Sequence, residues 1–338
     1  MPKLNPNLYL GDDEIHSLRA RRDVLDNGHK PKKAPSRLGA RAKDRADGIE
    51  SADLTYIASR HERLWIIESL GNFYELQWLT DVLRLVKGGK EASVYQCAAD
   101  PQIAAEFIAA KIYRPRMFRS LKKDHLYREG RANLDSEGLV ILDHGMEHAM
   151  SKRTTYGLEL LHTAWIEHEF KTLELLHAAG ADVPQPYAAG DNAILMEYVG
   201  GEAMAAPSLS EIELELDEAK RLFERTLWNI DLLLSHDRIH GDLSAYNILY
   251  WEGEITLIDF PQAVSPHENR HALSIFQRDV LRVCEYFAGQ GVRCNPGKLA
   301  HDMWTAHHHR LQPELDPRWL DEASQEDRRR WRKQSAGG

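Results

Sequence analysis

His240-Gly241-Asp242-Leu243-Ser244-Ala245-Tyr246-Asn247-Ile248-Leu249-Tyr250, followed by Leu257-Ile258-Asp259-Phe260, decides the reading of this chain. Asp242 and Asn247 stand in an H-x-D-x-x-x-x-N pattern, and Asp259 follows a short apolar run. Residues of these types at this spacing suit phosphoryl transfer. Such transfer asks little covalent chemistry of a protein. It needs an acceptor held in line and divalent cations that neutralise the phosphates. A carboxylate and a carboxamide oxygen suit a hard cation such as Mg²⁺, and a second carboxylate can take the acceptor's proton. Isolated Asp and Asn residues in Gly-containing loops mostly make turns. Here three polar residues fall at motif spacing, bracketed by the apolar segments Ile248–Tyr250 and Ile255–Ile258, and the turn reading loses.

Working upstream, Glu211 to Ser235 is expected to be a helix that delivers the chain to His240, with Leu222, Leu227, Ile230, Leu233 and Leu234 as its apolar contacts. Ala193 to Val199 is an apolar strand that ends at Gly200-Gly201. There Met196 is placed to line a pocket, and the backbones of Glu197 and Tyr198 to meet an adenine edge. Thr163 to Ala178 reads as an amphipathic helix, with Glu169 among Ile166, Phe170 and Leu173. Lys111 lies in Ala109-Ala110-Lys111-Ile112-Tyr113, an apolar strand where an unpaired ammonium would be costly. Glu169 is its candidate partner. Strands over Val82–Val86 and Ala92–Cys97 flank Lys87-Gly88-Gly89-Lys90-Glu91, a turn able to lay backbone N–H groups over phosphates.

The remainder sets bounds. With 338 residues and 43% hydrophobic content the chain can bury one large or two modest cores. A net charge of -9 excludes a molecule that is basic throughout. Cys97, Cys284 and Cys294 lack C-x-x-C spacing, which suggests a reduced, cytoplasmic protein. No secretory signal and no membrane span are expected. Residues 1–50 are expected to be a disordered basic segment, with Lys30 to Arg45 as its charged part. Residues 114–160 read as a long mobile insertion. His144-Gly145-Met146-Glu147-His148 matches H-x-x-E-H, but Gly145 suits a helix poorly and no third ligand is apparent. His307-His308-His309 reads as a solvated helix face.

Five segments together resemble the RIO-type atypical serine/threonine protein kinases, in particular a bacterial member. They are Gly89-Lys90-Glu91-Ala92-Ser93-Val94-Tyr95, Ala110 to Tyr113, Trp165 with Glu169-Phe170, His240 to Tyr250, and Ile258-Asp259-Phe260-Pro261-Gln262-Ala263-Val264. Arg278-Asp279-Val280 also fits. The resemblance implies an α+β, bilobal protein-kinase-like fold. A small antiparallel-sheet N-lobe with one main helix would pack on a mostly helical C-lobe, with ATP in the cleft. The N-lobe would then run over 79–199 and the C-lobe over 200–316, after a helical extension over 51–78, where Ser59 to Leu70 reads as a helix, and before a basic tail over 317–338 with Arg328 to Lys333.

The roles it implies are these. Lys111 holds the α- and β-phosphates and pairs with Glu169. Gly89, Lys90, Ser93 and Val94 cover the triphosphate. Asp242 is the catalytic carboxylate, and Asn247 and Asp259 ligate Mg²⁺ or Mn²⁺. The implied activity is autophosphorylation, with ATPase chemistry through an aspartyl-phosphate on Asp259 as its variant. Ser244 replaces the usual lysine and Pro261 the usual glycine, and little room is left for an activation loop. Two alternatives stand beside this reading: a small-molecule phosphotransferase of the aminoglycoside or choline kinase type, and an ATP-gated ribosome-assembly factor that contacts RNA or ribosomal particles through its basic ends.

Overall fold

The computed structural model describes residues 54–114, Tyr127, 131–309 and 324–335. The basic segment expected over 1–50 lies outside the described residues, as does most of 115–130. The fold is α+β and bilobal.

Five strands, β1 (Leu79–Gly88), β2 (Ala92–Ala99), β3 (Phe107–Tyr113), β4 (Pro186–Ala189) and β5 (Ala193–Glu197), form one antiparallel sheet in the order β1-β2-β3-β5-β4. Side chains alternate between the faces of a strand, and β3 shows this with unlike neighbours on its two sides. Ile108, Ala110 and Ile112 join Tyr95, Cys97, Ala193 and Leu195 in a small core. Helix α1 (Arg60–Glu75) covers that core with Ile66, Leu70 and Phe73. Ala109, Tyr113, Ile194 and Met196 belong instead to the large core on the opposite face. Lys111 shares their parity, so the strand's period alone aims it at that side. The α1 N-terminus is capped by Ser59, whose hydroxyl accepts from the Glu62 N–H.

Helix α2 (His144–Ser151) precedes helix α3 (Thr155–Ala178). Helix α3 is capped by Thr154, whose hydroxyl accepts from the Gly157 N–H. Gly157 permits the close approach of α2, because a Cβ there would come within 1.9 Å of the Ala149 carbonyl oxygen. Two sequence expectations are corrected here. The 114–160 stretch holds two helical segments in its second half, and α3 begins at Thr155 rather than Thr163. The longer helix follows from the Thr154 cap, which outweighs the weak apolar periodicity of residues 155–163.

Below the sheet lie α4 (Leu216–Ser235), the hairpin of β6 (Ile248–Trp251) and β7 (Glu254–Leu257), α5 (Ala272–Gly289) and α6 (Pro296–Ala306). Helix α5 starts at Ala272, nearly two turns before Arg278-Asp279. Residues 209–211 form a separate 3₁₀ turn with a Ser208–Glu211 capping box, so α4 starts at Leu216 rather than Glu211. Within the expected basic tail, Gln325–Ser335 is a helix, α7, tied back by Asp327 at 3.6 Å from Arg270. The three cysteines are free. Among the described residues no helix is long and apolar enough to cross a membrane.

Candidate active site

The His240 loop is held from three sides. Its imidazole is 2% exposed, lies 3.1 Å from the Ile258 carbonyl oxygen, and stacks on Phe260 at 4.5 Å. Ile239 and Val264 form an antiparallel bridge that fastens the loop to the segment after Phe260. Gly241 has φ +85°, and a Cβ there would fall 2.1 Å from the Gln262 carbonyl oxygen. Only glycine fits so close a passage. The Gly241 N–H donates to Asp279 Oδ2 at 2.8 Å, and its carbonyl accepts from the Arg278 guanidinium. Asp279 is itself buried. Burial pushes its carboxyl pKa above the ordinary value, although His240, Arg278 and the Gly241 N–H pull the other way.

This frame leaves Asp242 half-exposed at the cleft, where Oδ1 accepts from Arg282 Nη1 at 2.7 Å. The Asn247 amide donates to the Asp242 carbonyl oxygen at 3.0 Å, and the Asn247 carbonyl accepts from the Ile258 N–H at 3.0 Å. The β6–β7 hairpin therefore brings the Asn247 backbone against the residue before Asp259, and the Asn247 side-chain amide is held toward Asp242. Asp259 has φ +74°, the left-handed region, which costs a non-glycine residue free energy and collects at functional sites.

Lys111 ties the two halves together. Its Nζ lies 2.6 Å from Glu169 Oε1 and 2.6 Å from Asp259 Oδ1. Glu169 is 1% exposed and makes two further contacts: it accepts from the Tyr113 hydroxyl, and from the Phe260 N–H at 3.3 Å. Burial works against the Lys111 ammonium, but Asp259 and Glu169 outweigh it and hold its pKa above the ordinary lysine value. Burial likewise opposes the Asp259 carboxylate, yet Lys111 holds that carboxyl below its ordinary range. The cluster thus carries one positive and two negative charges. The surplus sits on the open side, since the Asp259 side chain is 42% exposed.

The Asp259 carboxylate is a hard-oxygen donor and the Asn247 carboxamide would supply another, a set that fits Mg²⁺ or Mn²⁺ and not a soft metal.

The other expected residues fall variously. Gly89 and Lys90 are exposed in the β1–β2 turn, where the Gly89 N–H donates to the Ala92 carbonyl at 2.9 Å. Val94 pairs with Lys111 across β2–β3 and packs toward the large core. Ser93 does not reach the cleft by its side chain: it shares the parity of Tyr95 and Cys97 and is 2% exposed, under α1. Met196 is buried on the Lys111 face. The Glu197 N–H is taken by the Gln185 carbonyl at 2.8 Å, which removes one backbone donor expected at an adenine edge. The Tyr198 hydroxyl accepts from Arg84 at 2.6 Å.

Sequence reasoning missed Arg282 on Asp242 and Tyr113 on Glu169. Arg278 and Arg282 stand four apart on α5, a spacing that puts both on one helix face. That spacing was a readable signal. The Tyr113 contact was hidden, because a strand tyrosine reads as core.

Comparison with known proteins follows the same outline. A family model described as RIO domain matches residues 93–299. The RIO-type serine/threonine-protein kinase Rio1 of Haloferax volcanii is 32% identical over 220 residues, 63% of this chain and 66% of that protein. Serine/threonine-protein kinase RIO1 of Chaetomium thermophilum is 27% identical over 304 residues, 86% of this chain and 53% of its own length. Serine/threonine-protein kinase rio1 of Schizosaccharomyces pombe is 26% identical over 218 residues, 64% of this chain and 40% of its own. The chain spans less than two thirds of the length of these curated relatives.

Proposed function

The chain belongs to the RIO domain family, and from that premise we propose that it is an ATP- and Mg²⁺- or Mn²⁺-dependent serine/threonine protein kinase that phosphorylates itself. The observation that carries this reading is the Lys111 ammonium held 2.6 Å from both Glu169 and Asp259. Glu169, fixed by Tyr113 and the Phe260 N–H, sets the position of the ammonium. Lys111 then meets the α- and β-phosphates of ATP from the sheet side. The β1–β2 turn with Gly89 and Lys90 covers the triphosphate, Val94 and Met196 line the nucleotide pocket, and the backbone around Tyr198 borders the base. Asn247 and Asp259 hold the divalent ion, which neutralises charge on the transferring phosphoryl group.

Asp242 is the proton acceptor. As the acceptor hydroxyl oxygen bonds to the γ-phosphorus, the bond to the β-bridging oxygen breaks, ADP leaves, and the hydroxyl proton passes to Asp242. Arg282 keeps that carboxylate aimed. Arg282→Gln should therefore lower kcat roughly 10- to 100-fold with a smaller change in KM for ATP, since a 1 Å misplacement costs about that much. Steady-state ATP turnover reads it, and an unchanged kcat removes Arg282 from the mechanism.

The reading is tested by incubating the purified chain with [γ-³²P]ATP and Mg²⁺ or Mn²⁺ and examining the label. Acid-stable, alkali-labile label on the protein is expected, as for phosphoserine or phosphothreonine. Label lost in mild alkali and in hydroxylamine is an acyl phosphate, and its absence from Asp259→Asn would assign the acceptor to Asp259, the nucleophilic variant of the same site. No protein label, with transfer to an added small alcohol instead, overturns the kinase reading.

A further inference from the structure

Away from the cleft, the end of α4, the segment after Val264 and the end of α6 bring Asp237, His267 and His309 together. One ligand atom from each lies within 4.8 Å of the others. Among the described residues this is the one group of three potential metal ligands so placed. His144 and His148 of the H-x-x-E-H pentapeptide do lie on a helix, but they meet no such third ligand.

His309 is the telling member. The sequence suggested a solvated histidine run, yet His309 is 6% exposed, wedged against Trp304 at 5.0 Å and edge-on to His267 at 5.0 Å. Neither of its ring nitrogens makes a well-formed hydrogen bond, the backbone of Leu234 offering only a marginal one. A buried imidazole with so little compensation carries a desolvation cost, and such groups point to a missing water or ion. Asp237 and His267 are paired at 2.8 Å and both exposed, so the open side of the group faces solvent and gives an ion its entry. His307 is not a competing ligand, being committed to Asp231 at 2.7 Å. Asp237 has φ +55°, so its carboxylate is set by a left-handed turn just past the end of α4.

We propose that Asp237, His267 and His309 form a zinc site, with a water as fourth ligand, that pins the ends of α4 and α6 to the segment after the catalytic centre. Two imidazoles and one carboxylate suit a borderline ion held tetrahedrally, with ligand atoms about 3.3 Å apart. Modest side-chain rotations close the present group to that spacing. The ions of the ATP cleft prefer oxygen ligands alone, so the two sites differ in donor chemistry and are separable.

The test uses the full chain without a histidine tag, stripped by a chelator and kept in excess Mg²⁺ so that the cleft is occupied. Zn²⁺ titration should show one further equivalent bound, with a raised thermal midpoint. Co²⁺ in its place should give the visible absorption of a tetrahedral nitrogen–oxygen site. His267→Asn and Asp237→Asn, both at exposed positions that should leave folding intact, should each weaken Zn²⁺ at least about tenfold and abolish the Co²⁺ band. Asp259→Asn should leave both signals unchanged. Absence of the extra equivalent in the wild-type chain overturns the proposal. So does binding that survives both ligand substitutions, or binding lost with Asp259→Asn alone.

Discussion

Asp259→Asn should lower metal-dependent ATP turnover by at least about 10²- to 10³-fold, the loss typical of one electrostatic contact at a transferring group. Asparagine is the informative replacement. It keeps the shape of aspartate and tolerates the left-handed backbone at φ +74°, where alanine would add strain. What it removes is charge: the carboxylate that faces the open side of the cluster and accepts from Lys111 at 2.6 Å. Fold and stability should change little on the acid side, and the pH dependence shows why. Lys111 holds the Asp259 pKa below its ordinary value, so the stability this contact contributes is present above about pH 4 and is lost as pH falls through the lower folded value. The variant should lack that acid-side loss. Turnover is measured by phosphate release at saturating ATP with matched circular dichroism. Turnover within about threefold of wild type would remove Asp259 from the reaction.

Lys111→Met should act on the fold as well as on nucleotide binding. Glu169 is 1% exposed, and without the ammonium its carboxylate keeps only the Tyr113 hydroxyl and the Phe260 N–H. Removing one partner of a buried pair costs about 3–5 kcal/mol, because the remaining charge stays desolvated. Urea unfolding should therefore show that loss, and calorimetric titration should show ATP affinity falling in parallel. The double variant Lys111→Met/Glu169→Gln should recover much of the stability and none of the affinity, since a neutral amide no longer needs the cation. Equal stability of the single variant and the wild type would show that the contact contributes little. The alkaline side carries the opposite sign to Asp259. The Lys111 pKa is raised, so its contribution is complete below the ordinary lysine value and fades only as pH rises through the higher folded one.

Much of the site was legible because its chemistry is local. The residues from His240 to Asp259 form one hairpin and its two approaches, so their spacing along the chain is also their spacing in the site. Lys111 was legible for another reason: an ammonium inside an apolar strand demands a carboxylate, and Glu169 was an acid on an apolar helix face. Ser93 misled because motif position says nothing of strand parity, and the period-2 alternation turns its side chain under α1. That the Glu197 N–H is already taken was not legible, because a sequence does not tell which carbonyl an edge N–H will find, here that of Gln185. The start of α3 was misplaced because the Thr154 cap and the Gly157 contact with Ala149 depend on α2 packing against it.

By itself the sequence pointed to the family and the α+β bilobal fold, and it singled out Lys111, Glu169 and Asp259, which the structure brings into contact. Those are matters of residue type, spacing and apolar period, which are written along the chain. Only the tertiary structure decided that one ammonium meets two carboxylates, that Arg282 holds Asp242, and that His309 is buried beside Asp237 and His267. These contacts join segments far apart in the chain. Their free energy depends on burial and distance, which no local pattern records.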